Sequence, residues 1–429
     1  MRTRLHAPVN PLPTQARHAD SRSAAKTRNW RVIHACEYAR DVLPVVEGQV
    51  AVGMHPYIVT PRSAGAAELY LASTTREQLQ PLSLLRSWQD VRVWRKSILE
   101  CNPESSADLV HAHSFASGMA AVRGCACVVY DFRDCIDELA LSSGQCGPGG
   151  WMGRSFRAAE QFILSRATAV VVHSLGMKEA ARERGAAPEH VYLIPDPLPP
   201  EEWMEGPRAL SPALDFDPRT VVFLAPHTGR SGTAKLPAAT LFVLEAFAHA
   251  RRELPHCHLL AEVPSTAAVS LQEKAARLGI AGQVTVIDSV RAPAVWESAQ
   301  VVIALAEPST DPVAARRPNP MCVQALRHGR ALLASDVPAN RDASPDGRGC
   351  LWFAPNNARD LGSRMVFLGA NPDFRSALAA TGRLHLLETR NSAAIGRKYN
   401  EVYCSAASRK KSTGAGPGLK VLYPAANCA

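Results

Sequence analysis

Arg230 and Lys235, in the run GRSGTAK (Gly229–Lys235), are two permanent cations on a glycine-rich turn. The run follows an apolar strand candidate, TVVFLAP, and precedes a helix candidate that starts at Ala238. Cations at such a turn, beside the open N–H groups of a helix N-terminus, suit a phosphate-bearing anion. Arg230 offers a planar fork and Lys235 a mobile point charge. Two solvated surface cations would give the same letters, since R-x4-K alone is common. A second group of candidates ends strands in the first half of the chain. DLVHAHS carries His111 and His113, and their alternation is read as sending one ring to the surroundings of the sheet and one, His113, to the strand mouth. VVYDFRD carries Asp131, Arg133 and Asp134. A carboxylate at a cleft can orient a hydroxyl or stabilise oxocarbenium character. The bland alternatives are packed strand-end histidines and an aspartate serving as a turn or N-cap residue.

The elements that must carry these residues alternate. WRVIHAC, a helical stretch from Leu43 to Val52 stopped by Gly53, and HPYIVTP open a βαβ unit. DLVHAHS, CACVVYDFRD, AVVVHS and VYLIPDPL supply further strands, with helices before and between them. Cys125 and Cys127 are placed on one strand, facing the same side. Prolines then accumulate through 200 and from 207 to 218, which reads as a stiff linker between domains. TVVFLAP, CHLLAEV, QVTVIDS, VVIALAE and ALLAS give a second set of strands. The expected fold class is α/β, with two Rossmann-like domains facing a cleft. The expected bounds are a disordered tail over 1–28, a first domain over 29–205, a second over 206–394, a helix over 395–404 returning to the first domain, and a basic tail over 405–429.

With 429 residues, 46% hydrophobic and 20% charged, the chain suits two soluble domains rather than one core. No apolar run spans a bilayer, and the N-terminus has no apolar core of a secretory signal. Eleven cysteines, an odd count with no C-x-x-C pair, fit free thiols in a reducing cytoplasm. The net charge of +9 sits partly in the tails, including Arg409, Lys410 and Lys411. No basic stripe is interleaved with aromatics, so no nucleic-acid partner is expected. Peripheral contact with the inner face of a membrane is left open.

The stretch NPMCVQALRHGRALLASDVPANRD (Asn319–Asp342) gives a proline-interrupted loop, an amphipathic helix (Val323–His328), a glycine cap at Gly329 and a buried strand. It resembles the donor-sugar segment of glycosyltransferase family 4, enzymes of the GT-B type, where the pattern runs roughly E-x7-E-A-x-A-x-G-x-P-V-V-A-S-D. GRSGTAK resembles the family's G-R-x4-K, and Glu160 and Ser174 match further landmarks. The resemblance implies transfer of a sugar from a nucleoside diphosphate donor to an acceptor hydroxyl, with retention and without metal or cofactor. The donor is a hexosyl-type nucleotide sugar, and the acceptor is a glycan, a lipid-linked group or a small molecule. Arg230 and Lys235 would then grip the donor diphosphate, with the loop and helix start at Met321, Cys322 and Val323. Gln324, where the family has its second Glu, would hydrogen-bond ribose. Asp131 stands where family members often have a His, Arg316 where the first Glu falls, and Asp196–Pro197 in place of Asn-Gly. In this reading His113 and Asp131 are the catalytic residues. These departures keep a second reading alive, a binding or scaffolding protein of the same fold without turnover. A sugar-nucleotide epimerase fits less well, because the segment from Ala314 to Gly329 has no carboxylate.

Overall fold

A computed structural model describes residues 29–36, 42–59, 84–100, 107–198, 214, 216–226, 238–287, 293–305 and 316–412. Two six-stranded sheets organise them, one in each half of the chain. The first contains β1 (Arg31–Ala35), β2 (His55–Val59), β3 (Leu109–Ala112), β4 (Val128–Asp131), β5 (Ala169–Val172) and β6 (Val191–Leu193) in the order β2-β1-β3-β4-β5-β6. The second contains β7 (Val221–Ala225), β8 (Cys257–Glu262), β9 (Val284–Ile287), β10 (Val301–Ala304), β11 (Ala331–Ser335) and β12 (Cys350–Phe353) in the order β12-β11-β10-β7-β8-β9. Every recorded pairing is parallel. Strands such as AVVV and ALLAS are wholly buried because helices cover both faces. The strand order reverses between β1 and β3 in the first sheet and between β7 and β10 in the second. At such switch points the crevice outside the carboxyl ends of the strands binds ligands.

Each face of the first sheet has its own apolar core. Ile33, Val110, Tyr130 and Val170 face one side with Ile163 and Met119. Val32, Leu109, Val129 and Val171 face the other, with Val45, Tyr399 and Tyr403. That second face is covered by the helices Leu43–Ala51 and Ser392–Ser412, so the last described helix crosses back to the first domain. It is longer than the segment expected over 395–404 and continues through Ser412, inside what reads as a tail. Arg409 anchors the extension. Its guanidinium donates to the Thr168 and Glu189 carbonyls at 2.6 and 2.9 Å and to the Tyr192 hydroxyl.

The two covering helices touch at their backbones. A Cβ on Gly396 would lie 2.1 Å from the Gly48 carbonyl oxygen, and one on Gly48 would lie 2.1 Å from that of Ser392. Gly396→Ala is therefore expected to destabilise the chain by about 1–3 kcal/mol, although alanine is the better helix former. Urea unfolding measures it; an unchanged or raised midpoint would contradict this close approach.

The pair Cys125 and Cys127 departs from expectation. β4 begins only at Val128, and Cys125 caps the preceding helix Phe115–Gly124. Cys127 packs in the core under the returning helix, while Cys125 lies against the opposite one.

Candidate functional site

The face carrying Val32, Leu109, Val129 and Val171 becomes polar at its carboxyl end. Two residues along each strand stand His34, His111, Asp131 and His173. Residues i and i+2 share a face of a strand, so His113 follows His111 on the same side. The expectation that the two rings part is thus corrected: their centroids are 4.1 Å apart. β1 and β3 pair in a register that sets His34 beside His111.

Asp131 is the hub of this group. Oδ2 accepts from His113 Nδ1 at 2.8 Å and from Arg133 Nε at 3.0 Å, and Oδ1 lies 2.5 Å from His173 Nε2. Arg133 continues to Asp196 at 3.1 Å, and His173 Nδ1 lies 3.4 Å from the same carboxylate. The Asp131 side chain has no exposed surface and that of His113 has 5%, whereas Arg133 has 34% and Asp196 52%. The group therefore runs from a buried carboxylate out to the surface. Burial pushes the Asp131 carboxyl up, but the Arg133 charge, the His173 charge and two imidazole donors hold it well below its ordinary range. For His173, burial and Arg133 lower the pKa, and Asp131 with Asp196 more than restores it, so it is raised. His34, His111 and His113 go the other way. Burial lowers each of them, His34 to about 3, and they are neutral rings.

The neutral rings are held from outside. His34 Nε2 lies 2.9 Å from Gln49 Oε1, Gln49 Nε2 donates to the Tyr403 hydroxyl at 2.8 Å, and His111 Nδ1 lies 2.9 Å from that hydroxyl. His34 Nδ1 and His113 Nε2 face each other at 2.8 Å. Sequence spacing gives no sign of this group of rings, because it is assembled across two strands.

The carboxyl ends of β4 and β5 face the second domain. Ser174 caps the helix Leu175–Glu183, accepting from Met177 N–H at 2.9 Å, and donates across the domains to the Arg316 carbonyl at 2.7 Å. The Leu175 amide donates to Asp342 at 2.7 Å. Arg316 grips Glu138 with two donors at 3.0 and 3.1 Å and reaches Glu183 at 3.0 Å. Arg317 donates to Asp134 at 2.6 Å. Loop cations of this kind could serve phosphate or solvent, but Arg316 and Arg317 pair with carboxylates of the first domain. Because these pairs are partly exposed, Arg316→Ala is expected to cost the closed arrangement only about 1 kcal/mol. Small-angle scattering should show a larger mean radius, more so at low salt than at high salt. An identical profile at both salts would count against a closing role.

Behind this loop, Asn319 caps the helix Pro320–Arg327, which starts earlier than the expected Val323. Its side chain accepts from Met321 N–H at 3.0 Å, and its carbonyl accepts from Cys322 N–H at 3.2 Å. The Cys322 side chain is core, whereas Met321, Val323 and Gln324 are half-buried. Gly329 closes the segment at φ 62°, in the left-handed region. Arg230 and Lys235 lie outside the described residues. The strand that leads to them, β7, ends at the switch point of the second sheet.

Residues 38–197 match the family model of the glycosyl transferase 4-like domain. Among solved structures, the chain is similar to a glycosyltransferase from Rickettsia africae at 13% identity and TM-score 0.55, covering 88% of this chain and 98% of that one. HepE of Anabaena in complex with UDP aligns at 12% identity and TM-score 0.53, over 88% and 100% of the two chains. Sucrose-phosphate synthase of Thermosynechococcus elongatus aligns at 15% and 0.51, over 89% and 100%. The comparison with curated proteins gave no match. The chain is thus a two-domain protein of the GT-B fold whose N-terminal domain matches the glycosyl transferase 4-like family.

Proposed function

We propose that this protein transfers a sugar from a nucleoside diphosphate sugar to an acceptor hydroxyl, with retention. The observation that carries the reading is the array of Asp131, His113, His173 and Arg133 at the carboxyl ends of adjacent strands, on the side that meets the second domain. A charged carboxylate with fixed partners, already paid for by folding, is suited to stabilise positive charge developing on a sugar ring. The donor lies on the second domain at the carboxyl end of β7. Arg230 and Lys235 neutralise its diphosphate, the helix start at Met321–Val323 adds its partial positive charge, and Gln324 bonds ribose. With the Met321 and Cys322 amides occupied by Asn319, that helix contributes mainly its field. Cationic groups serve here in place of a metal at the diphosphate. The acceptor lies on the first domain.

HepE was solved with UDP, which makes uridine diphosphate sugars the first donors to test. A ligand that binds only the native state raises the melting temperature. A thermal-shift series of nucleoside diphosphates and their sugars is expected to single out one base, and the matching sugar donor should lose its sugar slowly to water. A second reading, binding without turnover, draws on one feature: both Asp131 oxygens are occupied by protein donors. It predicts the same thermal shift with no sugar released under any acceptor. No described helix is long and apolar enough to cross a membrane.

A further inference from the structure

We infer that Gln49, on the first helix, is a positioning residue for Asp131: which end of its amide faces His34 decides whether the His34–His113 pair beside that carboxylate is neutral or holds one extra proton. The proton count rests on hydrogen-bond geometry; its consequence for the rate rests on the sugar-transfer reading.

The contacts form a continuous chain. Asp131 Oδ2 meets His113 Nδ1 at 2.8 Å, His113 Nε2 meets His34 Nδ1 at 2.8 Å, and His34 Nε2 meets the Gln49 amide at 2.9 Å. The other end of the amide lies 2.8 Å from the Tyr403 hydroxyl, which lies 2.9 Å from His111 Nδ1. Each contact needs one hydrogen. A charged Asp131 can only accept, so the first hydrogen sits on His113 Nδ1. The second lies between the two rings, in an N–H···N bond. The third depends on Gln49. With the amide oxygen on His34, the ring nitrogen there must donate. The two rings then carry three hydrogens, and the pair is a cation that shares the middle one. With the amide turned over, its nitrogen donates to His34 Nε2. Two hydrogens then suffice, and the pair is neutral. The two ends of an amide have nearly the same shape, so packing does not choose between them.

The choice travels to the last described helix. In the charged arrangement Gln49 donates to Tyr403, Tyr403 donates to His111 Nδ1, and His111 keeps its hydrogen on Nε2. In the neutral one each of these bonds reverses, and His111 carries its hydrogen on Nδ1. His111 Nε2 has no partner of its own, so nothing at that end opposes the exchange. His34, Gln49, His111 and Tyr403 are fully buried, so water cannot stand in for a missing partner. The close approach of Gly48 and Gly396 sets Gln49 beside the helix that bears Tyr403.

The charged groups that face the pair are few. Burial opposes a cation there, as do Arg133 and His173, whereas Asp131 favours one. His111 is itself a neutral ring, and burial keeps the Tyr399 and Tyr403 phenols protonated. At neutral pH the pair is therefore neutral, with the amide nitrogen on His34, and acid reverses the amide. The extra proton enters from solvent through His113, whose side chain keeps 5% exposure. A cation at this place offsets the negative field that Asp131 offers to a reacting sugar, so turnover should fall as the pair is charged.

The test is Gln49→Glu, whose carboxylate can only accept at both ends. It forces His34 Nε2 to donate, so the pair should keep its third hydrogen to a pH about one to three units higher than in the parent. Long-range proton–nitrogen NMR of the full chain, labelled in its histidines, reads the charge and tautomer of each ring. In the parent at neutral pH, His34 and His113 should be neutral and His111 should carry its hydrogen on Nδ1. In the variant His34 and His113 should gain one proton at one shared midpoint, above that of the parent, and the acid limb of kcat should move with it. A moved midpoint without measurable transfer supports the inference and counts against the sugar-transfer reading. An unmoved midpoint in folded Gln49→Glu overturns the inference at any level of activity. If the variant does not fold, the parent decides: a neutral pair with the His111 hydrogen on Nε2 overturns it.

Discussion

Asp131→Asn is expected to lower turnover by about 10²- to 10³-fold, the range for removing one preorganised electrostatic partner of a transition state. The change is nearly isosteric, so the loss should fall on kcat with little change in KM for the donor, whose diphosphate we place on the other domain. It also removes the charge that supports His173. Burial and Arg133 both lower the His173 pKa, and Asp131 opposes them. Without it, His173 should titrate lower than in the parent protein, which imidazole NMR can follow. A charged His173 paired with Asp131 contributes stability that is present below its unfolded pKa and fades as pH rises through the raised folded value. The variant should therefore lose that contribution at neutral pH and below. Initial rates at saturating donor decide the catalytic part; unchanged kcat would remove Asp131 from the chemistry.

Arg184→Met is expected to cost about 3–5 kcal/mol of unfolding free energy, as for other buried ion pairs broken from one side. The Arg184 side chain has 0% exposure and meets three carboxylates, Asp137 and Glu138 at 2.8 and 2.9 Å and Glu160 at 2.9 Å. Burial pushes Glu160 up to about 8 even with Arg184 beside it, so in the variant its pKa should rise further. The damage extends beyond the first domain. Glu138 is also the carboxylate that Arg316 grips from the second. Replacing Arg184 and Glu160 together, by Met and Gln, should cost less than the sum of the single changes, since the two share one interaction. Urea unfolding of the three variants measures this. Strict additivity would mean that the pair is not coupled.

Strand and helix order were legible because the strands are short, apolar and buried on both faces. ALLAS, AVVV and the Gly329 stop stand in the structure where they read in the sequence. The carboxyl-end rule directed attention to His113 and Asp131, and the structure places them 2.8 Å apart. Their surroundings were not legible. His34, Gln49 and Tyr403 come from the first strand, the first helix and the last helix, and only tertiary contact makes them neighbours. A signal was nonetheless present. WRVIHAC and AVVVHS carry a histidine near the carboxyl end as DLVHAHS does, and parallel strands align such ends. The pairing of the arginines at 316 and 317 was not legible either, because their partners, Glu138, Glu183 and Asp134, lie in the other domain. Arg409 reads as part of a basic tail only until its carbonyl partners are seen.

The central claim is that a diphosphate is gripped on the second domain by side chains that make no use of the nucleoside. Isothermal titration of UDP and of uridine against the parent protein, Arg230→Ala and Gln324→Ala tests it directly. Charge-assisted hydrogen bonds contribute roughly 1.5–3 kcal/mol each. Arg230→Ala should accordingly weaken UDP binding by about 10- to 100-fold while leaving uridine nearly unchanged. Gln324→Ala should weaken both ligands, since its proposed partner is ribose. UDP affinity unchanged in Arg230→Ala would contradict the donor site and favour a protein that keeps this fold without transferring sugar.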